Sequence, residues 1–390
     1  MVSPMLRRPR VMLVGPWKAT IGGVTTFMSN VAMSPLARDY EIVRFNTARP
    51  AKRNVSDNYG YGAIFRGGVA RFLTGALVTL LHMIAFPFTL LVQRPAIAQI
   101  QSSDFQTFWE SAWYVLVCRA LRISVVMRLG GAFDNFYSVS SSRAQSLIRR
   151  VLQWPDRLIV QSEYWRSMAA RLGRTQGLVV LPNCIADDAR AHFEKHENDI
   201  PICLFAAGSE ATRKGVEEVL AAMRSLKAAG ISVRFHIVAA TAPLRAAIER
   251  EGLSELSEVE GYIPHEHMLD AMRAADIFLL PSRAEGFPNA LLEAMASGAA
   301  AIVTPVGSVP EIVDGDCAAI VPVNDSHALT GAITRLANDK LFRDHLARAG
   351  RDRVLSRYTQ NAVLPILDEA WRSMLGRRRT RLDLSPAPPP

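Results

Sequence analysis

Short apolar runs alternate with longer helical patterns along both halves of the chain. Strands that alternate with helices are typical of parallel sheets with helical crossovers. Six runs in the first half predict short buried strands: "RVMLVGP", "YEIVRFN", "AIAQIQSS", "ISVVMRLGG", "RLIVQS" and "GLVVLPN". Five runs repeat the pattern in the second half: "ICLFAAGS", "SVRFHIVAA", "DIFLLPS", "AAIVTPVGS" and "CAAIVPV". The pattern therefore predicts an α/β protein of two doubly wound, Rossmann-like parallel-sheet domains that face each other across a cleft.

The boundary between the two domains is expected where this pattern weakens. The segment "CIADDARAHFEKHENDI" is charged and has no clear period, so we expect one domain over residues 1–185 and a second over 200–358. A helix over 359–376 is predicted to return to the first domain. The tail at 377–390 is basic and then proline-rich, so we expect it to lack a fixed structure.

The segment at residues 64–94 is unusually apolar. No charged side chain occurs between Arg71 and Arg94, and this length could cross a bilayer. A membrane span is one interpretation, but it would divide the strands of one sheet between the two sides of the membrane. Two other interpretations are also open. The segment forms buried core helices, or it dips into one leaflet as a hairpin or a helix. Arg53, Arg66 and the two arginines named above favour contact with anionic lipid if the segment is exposed.

Composition adds a basic character to this picture. The 390 residues are 49% hydrophobic and 21% charged, which is typical of a folded protein. The net charge is +9, and only six of the 45 basic residues are lysines. This bias reflects genome composition or favours anionic partners such as phosphorylated small molecules and an acidic membrane surface. No nucleic-acid-binding signature occurs, so we expect no nucleic-acid partner.

The cysteines and the N-terminus indicate the compartment. The four cysteines are far apart and form no CxxC motif, which favours a reducing environment over a disulfide framework. No pair of ligand-type residues has zinc spacing, so no metal is expected. The N-terminus has no apolar core of signal-peptide length. We therefore expect a cytoplasmic protein, peripheral on the inner face of the membrane.

Two carboxylates lie close together after one strand of the second half. The strand "DIFLLPS" ends at Ser282, and the loop after it contains Glu285 and Gly286. Pro288 suits the first turn of the helix that follows, and Glu293 lies on that helix. Taken singly, a glutamate at such a position is usually solvated or contacts the helix dipole. The pair is of interest because the start of a helix lies between the two glutamates.

The helix start between these glutamates suits a diphosphate flanked by two sugar rings. The backbone amides of residues 287–290 favour an anion such as phosphate. Carboxylates accept pairs of hydroxyl hydrogen bonds, so one glutamate could hold a ribose and the other a hexose. Two glutamates also flank the scissile bond of glycoside hydrolases, but the phosphate-type turn favours an activated sugar donor.

The run "PSRAEGFPNALLEAMASGAAAIVTPVGSVPEIV" resembles the donor-site signature of retaining glycosyltransferases of family 4, which have the GT-B fold of two facing Rossmann-like domains. The resemblance covers most of residues 200–358, whereas the first half matches only in general order. It implies that Glu285 contacts the donor sugar and that Glu293 holds the ribose. It also implies that the strand end and the turn contact the donor, through Ser282, Gly286, Phe287, Pro288 and Asn289.

A second stretch, "AAGSEATRKGVEEVLAAM", resembles the same family. The family usually has a glycine, then an arginine, then a lysine–glycine pair that opens a helix. Gly208 and Lys214 fit this pattern, whereas Ser209 stands in place of the arginine, so Arg213 is expected to substitute. Lysine or arginine would stabilise the charge that a departing nucleoside diphosphate gains, without the metal used elsewhere.

The first half matches the family less closely. Gly22 and Gly23 resemble its first-domain glycine loop, where small residues let a backbone approach the phosphates or the acceptor. Many relatives carry a histidine where this chain has Leu129. Three polar residues nearby are candidates on the acceptor side: Arg128, Asp134 and Asn135.

We predict a metal-independent, retaining glycosyltransferase with Glu285, Lys214 and Arg213 as its catalytic residues. It would use a nucleotide-diphosphate sugar as donor substrate and no cofactor. The acceptor would be the hydroxyl of a saccharide, in particular a lipid-linked one, in surface polysaccharide or glycolipid synthesis. The alternatives are an epimerase or a phosphorylase on the same fold, or an inactive membrane module that binds nucleotide sugars.

Overall fold

The chain divides into two units, each built around its own parallel sheet. Unit 1 contains the described residues up to Pro182 and those from Val363 onward, and unit 2 contains Asn183–Ala362. Both sheets have six strands, so the prediction of an α/β protein with two Rossmann-like parallel-sheet domains is confirmed. The computed structural model describes residues 8–17, 23–48, 68–103, 105–131, 133–187, 198–208 and 211–383.

The sheet of unit 1 consists of the six strands that the apolar runs predict. They are β1 (Arg10–Gly15), β2 (Glu41–Asn46), β3 (Ile97–Ser102), β4 (Ser124–Leu129), β5 (Arg157–Val160) and β6 (Leu178–Val180). They pair in parallel in the order β2-β1-β3-β4-β5-β6. All six residues of β3 are buried, because a parallel sheet is covered by helices on both faces. This explains why the strands are rich in apolar residues, although β3 also buries Gln99, Gln101 and Ser102.

The helices of unit 1 connect successive strands. Ser141 and Ser162 cap two of them by accepting hydrogen bonds from the backbone amides of Ala144 and Trp165. The helices are α1 (Gly23–Met33), α2 (Leu36–Asp39), α3 (Gly68–Gln93), α4 (Phe105–Ala120), α5 (Phe133–Ser138), α6 (Ser142–Val151) and α7 (Glu163–Arg171).

Helix α3 packs against the core along only one face. Phe86 is fully buried, and its ring centroid lies 5.0 Å from that of Phe45 and 4.6 Å from that of Tyr114. The stretch Leu73–Gln93 is long and apolar enough to cross a membrane, yet only 11% of its most apolar window is buried. The interpretation as a fully buried core helix is therefore wrong. The opposite face exposes large apolar side chains: Leu73, Leu77, Leu80, Leu81, Ile84, Phe88, Leu91 and Val92.

The sheet of unit 2 has one strand more than the apolar runs predict. Its strands are β7 (Ile202–Ala206), β8 (Arg234–Val238), β9 (Ser257–Val259), β10 (Ile277–Leu280), β11 (Ala300–Val303) and β12 (Ala318–Ile320). They pair in parallel in the order β12-β11-β10-β7-β8-β9. The chain therefore proceeds outward from β7 through β8 and β9, and then crosses to β10 on the other side of β7. This reversal is the topological switch point of a Rossmann-like sheet.

The helices of unit 2 cover both faces of this sheet. They are α8 (Ala211–Lys214), α9 (Val216–Ala228), α10 (Ala242–Arg250), α11 (His265–Ala274), α12 (Asn289–Ala296), α13 (Val309–Ile312), α14 (Ser326–Asn338) and α15 (Lys340–Arg357). Asp325 and Asp339 cap α14 and α15 by accepting hydrogen bonds from the backbone amides of Ala328 and Phe342.

The last helix, α16 (Gln360–Asp383), is anchored in unit 1 from Val363 onward. The buried indole of Trp371 donates a hydrogen bond of 2.8 Å to Oε1 of Gln99. The expectation that fixed structure is lost from residue 377 is wrong for residues 377–383. They continue the helix because no glycine or proline follows Gly376 before Pro386. Residues 384–390 lie outside the described residues.

Candidate functional site

The candidate site lies at the switch point of unit 2, where the carboxyl ends of β7 and β10 are adjacent. The loop after β7 leads through α8 into α9, and the loop after β10 leads into α12. Because the chain leaves these two strands in opposite directions, a crevice forms between the two loops. The two stretches that resemble the glycosyltransferase family therefore meet at one end of one sheet.

Glu285 is the centre of this site. Nζ of Lys214 donates a hydrogen bond of 2.8 Å to its Oε1, and the hydroxyl of Ser282 donates one of 2.6 Å to the same oxygen. Nη1 of Arg213 lies 3.4 Å from Oε2 and donates a hydrogen bond of 2.7 Å to the carbonyl of Ala284. The three residues predicted to be catalytic are thus in direct contact, although about 70 residues of chain separate the glutamate from the two cations.

Two glycines permit close approaches to the loop after β10: Gly215 from the loop after β7, and Gly307 from the loop after β11. Gly215 has φ of 76°, and a Cβ built there would lie 2.2 Å from the carbonyl oxygen of Pro281. Gly307 has φ of 55°, and a Cβ built there would lie 1.8 Å from the carbonyl oxygen of Glu285. Any larger residue at either position would therefore collide with backbone atoms and would also have to adopt a left-handed conformation.

A second ion pair joins the same loops. Arg283 contacts Glu217 at 3.0 Å and Glu218 at 2.8 Å, both in the first turn of α9. Its backbone amide donates a hydrogen bond of 2.7 Å to the carbonyl of Arg213. Sequence reasoning missed this pair and missed Gly307. Glu217 and Glu218, which follow Gly215 and Val216, were a usable signal for the pair, because the first turn of α9 contacts the loop after β10 at the switch point.

The two glutamates occupy opposite electrostatic environments. Burial alone would raise the pKa of Glu285, but the charges of Lys214 and Arg213 and the hydrogen bonds from Lys214 and Ser282 outweigh burial and hold that pKa below its ordinary value. Burial raises the pKa of Glu293, on α12, to about 7. Glu285 is therefore ionised at neutral pH, whereas Glu293 exchanges its proton near neutrality.

The remaining residues of the turn that is predicted to contact the donor are fixed by packing. The ring of Phe287 meets that of Tyr358 edge to face at 5.8 Å, and its carbonyl accepts a hydrogen bond of 3.0 Å from Nδ2 of Asn183. Pro288 directly precedes α12, which begins at Asn289. The predicted first helical turn at Pro288 is thus displaced by one residue. Gly286 lies between Glu285 and this packed turn.

His265 is the nearest ionisable neighbour of Glu293 among the described ion pairs. Its Nε2 lies 3.8 Å from Oε1 of Glu293, beyond ordinary hydrogen-bond distance. His265 is the first residue of α11.

Gly208 is the predicted donor-binding glycine after β7, and it has φ of 66°. A Cβ built at Gly208 would meet no atom within 4 Å, so this glycine borders open space.

The candidates in unit 1 are dispersed over three elements. Gly22 lies outside the described residues, and Gly23 is the first residue of α1. Arg128, on β4, is 1% exposed and places Cζ 3.9 Å from the centre of the Phe27 ring. Asp134 and Asn135 are both on α5, where Oδ1 of Asp134 accepts a hydrogen bond from the Asn135 amide.

One group of described side chains has the spacing of metal ligands, and it is not at Glu285. His236 on β8, Glu258 on β9 and Glu260 place ligand atoms within 4.8 Å of one another. Nε2 of His236 and Oε1 of Glu260 are 2.6 Å apart. A hydrogen bond between these two atoms explains the contact without a metal ion. That the protein needs no metal stays a prediction.

Residues 200–339 match the family model described as Glycosyl transferases group 1. The matched residues are less than half of the chain, and this region resembles the glycosyl transferases group 1 family. We call residues 200–339 the group 1 region, and it contains Glu285, Glu293, Lys214 and Arg213. The finer assignment to family 4 stays a prediction.

Three known proteins illustrate the similarity. WcaL of Escherichia coli K12, a glycosyltransferase assigned to colanic acid biosynthesis, is 30% identical over 233 residues, 56% of each chain. The chain thus spans little more than half the length of the curated relatives it matches. Sucrose-phosphate synthase from Thermosynechococcus elongatus has a TM-score of 0.74 at 20% identity over 95% of this chain and 100% of its own. HepE from Anabaena, solved with UDP, has a TM-score of 0.69 at 15% identity over 93% and 100%. These structures establish similarity of fold.

We expect Gly215→Ala to separate the loops that carry Lys214 and Glu285. The added Cβ would lie 2.2 Å from the Pro281 carbonyl, so we expect a loss of about 2–4 kcal/mol in the free energy of unfolding. Gly230→Ala is the matched control, since Gly230 has φ of 65° but no atom within 4 Å. It should lose only about 1 kcal/mol. Urea titrations followed by circular dichroism compare the two, and equal losses would contradict the close-approach argument.

We expect Glu293→Gln to change how stability depends on pH. The pKa of Glu293 is raised to about 7 in the folded protein, so its contribution is fully present below the ordinary pKa and is lost as the pH rises through 7. Between about pH 5 and pH 8, the unmodified protein should lose on the order of 2 kcal/mol that the variant does not lose. Urea unfolding at both pH values measures this difference.

Glu249→Gln, on the exposed face of α10, controls for the removal of one carboxylate. If Glu293→Gln and Glu249→Gln show the same pH dependence as the unmodified protein, the proton affinity of Glu293 is ordinary and its environment has been misjudged.

Proposed function

We propose that this protein is a glycosyltransferase that moves a sugar from a nucleotide-diphosphate sugar to an acceptor hydroxyl in the synthesis of a surface polysaccharide or a glycolipid. The observation that carries the proposal is the contact of Lys214 and Arg213 with Glu285 at the switch point of a group 1 region. The two cations could bind the diphosphate of such a donor, and the ionised carboxylate could accept hydrogen bonds from the hydroxyl groups of its sugar.

The cations suit the leaving group. A nucleoside diphosphate gains negative charge as the bond to the sugar breaks, and a fixed lysine and arginine stabilise that charge without reorganising. In the structure described here, Glu285 balances Lys214 and Arg213. A donor diphosphate would share these cations with the glutamate, which explains why two are needed at one carboxylate.

Glu285 suits the sugar ring as a hydrogen-bond acceptor. Its pKa is held below the ordinary value, so it has no proton to donate at neutral pH and does not fit the acid role found in glycoside hydrolases. Both short hydrogen bonds fall on Oε1, so a sugar hydroxyl would donate to Oε2. Held by these contacts, the carboxylate is also a poor nucleophile.

We propose a retaining outcome, which is supported by the family resemblance and is compatible with this assignment. Without a carboxylate nucleophile, the acceptor would attack the face that the diphosphate leaves, and a diphosphate oxygen would take the acceptor proton. Glu293, with a pKa near 7, both accepts and donates hydrogen bonds to a diol, which suits the donor ribose. The distal position of Glu293 on α12 separates the ribose from the reacting sugar.

We propose that the acceptor is a lipid-linked saccharide and that the protein works in the cytoplasm, peripheral on the inner face of a membrane. The support is the exposed apolar face of α3, defined by the eight residues named above, with Trp113 and Leu116 also exposed on the neighbouring α4. A contiguous apolar surface of this extent is typical of an interaction site. If α3 lay in the plane of the membrane interface, its apolar face would be buried among the lipids while Phe86 stayed in the protein core.

Lys214→Ala is expected to lower turnover by about 100-fold or more, because the leaving diphosphate loses one of the two cations that would stabilise its developing charge. The donor is first identified by thermal shift with a panel of nucleotide sugars, and transfer is then measured from radiolabelled donor to membrane extract. Lys227→Ala is the control, since Lys227 lies in the last turn of α9 and its Nζ donates a hydrogen bond to the carbonyl of Gly252, after α10. Near-normal turnover in a folded Lys214→Ala protein would remove Lys214 from the mechanism.

The membrane proposal is tested with the triple variant Leu77→Ser, Leu81→Ser, Phe88→Ser. These side chains are exposed, so the fold should be kept while sedimentation with anionic phospholipid vesicles falls by about tenfold. Leu341→Ser, at a side chain that is 82% exposed in unit 2, is the control and should sediment normally. A protein that never sediments, or a triple variant that sediments as before, would refute the proposal.

A further inference from the structure

A cavity opens at the amino-terminal edge of the unit 1 sheet. Its volume is about 430 Å³, and its lining consists of Asp156, Arg157, Arg174, Gln176 and Gly177. Asp156 and Arg157 stand at the start of β5, and Gly177 directly precedes β6. Gly23 and the end of β4 belong to the opposite, carboxyl-terminal edge, so this cavity is separate from the acceptor-side candidates.

Arg174 is built into the wall of the cavity. It is 7% exposed, and its terminal nitrogens donate hydrogen bonds to the carbonyls of Gln153, Pro155 and Asp156 at 3.2, 3.0 and 3.3 Å. Its Nε is buried and has no hydrogen-bond partner in the described part of the chain. The guanidinium is therefore held in place by three of its five N–H groups.

Arg157 converges on the same place. A Cβ built at Gly177 would lie 2.9 Å from Nη2 of Arg174 and 3.5 Å from Nη1 of Arg157, so both guanidinium groups border the bare backbone of this glycine. Gly177 has φ of 66°. Gly177 thus lets the two guanidinium groups lie close to each other, because any side chain at residue 177 would collide with Arg174 and with the carbonyl oxygen of Asp156.

The charge of this cluster is unbalanced. The pKa of Arg174 is lowered, first by burial and then by the charge of Arg157, and Asp156 only partly opposes this. Asp156 is also engaged elsewhere, since its Oδ2 accepts a hydrogen bond of 2.8 Å from the amide of Val125. Like charges at short range are unfavourable, and a bound anion would offset them.

We propose that this cavity binds a phosphate group through Arg157 and Arg174. Planar guanidinium groups match the oxygens of phosphate in pairs, which makes arginine the preferred residue for such recognition. The cavity is larger than one phosphate ion, so the ligand is a phosphate carried on a small organic group. A soluble phosphomonoester and the headgroup of an anionic lipid present the same chemistry. The site is independent of the glycosyl-transfer proposal.

The first test is calorimetric titration of the intact protein with inorganic phosphate and with glycerol phosphate, at an ionic strength kept constant with chloride. Arg157→Gln should weaken binding at least about tenfold. Arg174 is left in place because its loss would leave the carbonyls of Gln153 and Pro155 without donors. Arg143→Gln, at an exposed residue of α6, removes the same charge and should bind phosphate normally.

The second test is sedimentation with phosphatidate vesicles, which distinguishes the two sources of the phosphate. Weaker sedimentation of Arg157→Gln than of Arg143→Gln identifies a lipid headgroup, whereas a defect confined to the calorimetric titration identifies a soluble phosphomonoester. Either result supports the site. If Arg157→Gln behaves as Arg143→Gln does in both tests while its melting temperature is unchanged, the cavity binds no phosphate and the proposal is overturned.

Discussion

The site of unit 2 depends on one interaction, the ion pair between Lys214 and Glu285. A buried carboxylate stays ionised only if neighbouring charges and hydrogen bonds offset its lost hydration, and here a lysine, an arginine and a serine do so. That pair forms only because β7 and β10 are neighbours at the switch point, and because Gly215 lets the loop after β7 approach the loop after β10. Gly307, in the loop after β11, lets a third loop approach the backbone of Glu285. Topology, backbone conformation and charge are thus a single constraint.

The same constraint separates the roles of the two carboxylates. Eight positions apart in sequence, Glu285 and Glu293 differ in proton affinity because only the first meets the cations of the other loop. Glu293 lies on α12, the helix after this loop, where burial raises its pKa and no cation among the described residues is in contact with it. The ionised state of Glu285 and the raised pKa of Glu293 are therefore consequences of loop geometry, and sequence spacing alone does not dictate them.

The sequence predicts elements better than it predicts contacts. Buried parallel strands are continuous apolar runs, so eleven of the twelve strands were found, whereas β9 was missed because "SEV" is a short edge strand with polar residues. The meeting of Lys214 with Glu285 was predictable, since both follow strands of one sheet. The need for glycine at position 307 was not, because it arises from a collision with the backbone of residue 285. Composition likewise identified α3 as apolar but not which face would be exposed.

The arginines of unit 1 show how far architecture alone explains a basic composition. Helices of a parallel unit end at the amino-terminal edge of the sheet, and a cation in the last turn of a helix is stabilised by the helix dipole. Arg149 and Arg150 at the end of α6, and Arg171 at the end of α7, need no further explanation. Arg157 opens a strand, and Arg174 follows a completed helix with a buried, unused Nε. The dipole argument does not cover these two. The carbonyls of Gln153, Pro155 and Asp156 hold Arg174 in place, and the proposed phosphate would offset the charge of Arg157 beside it.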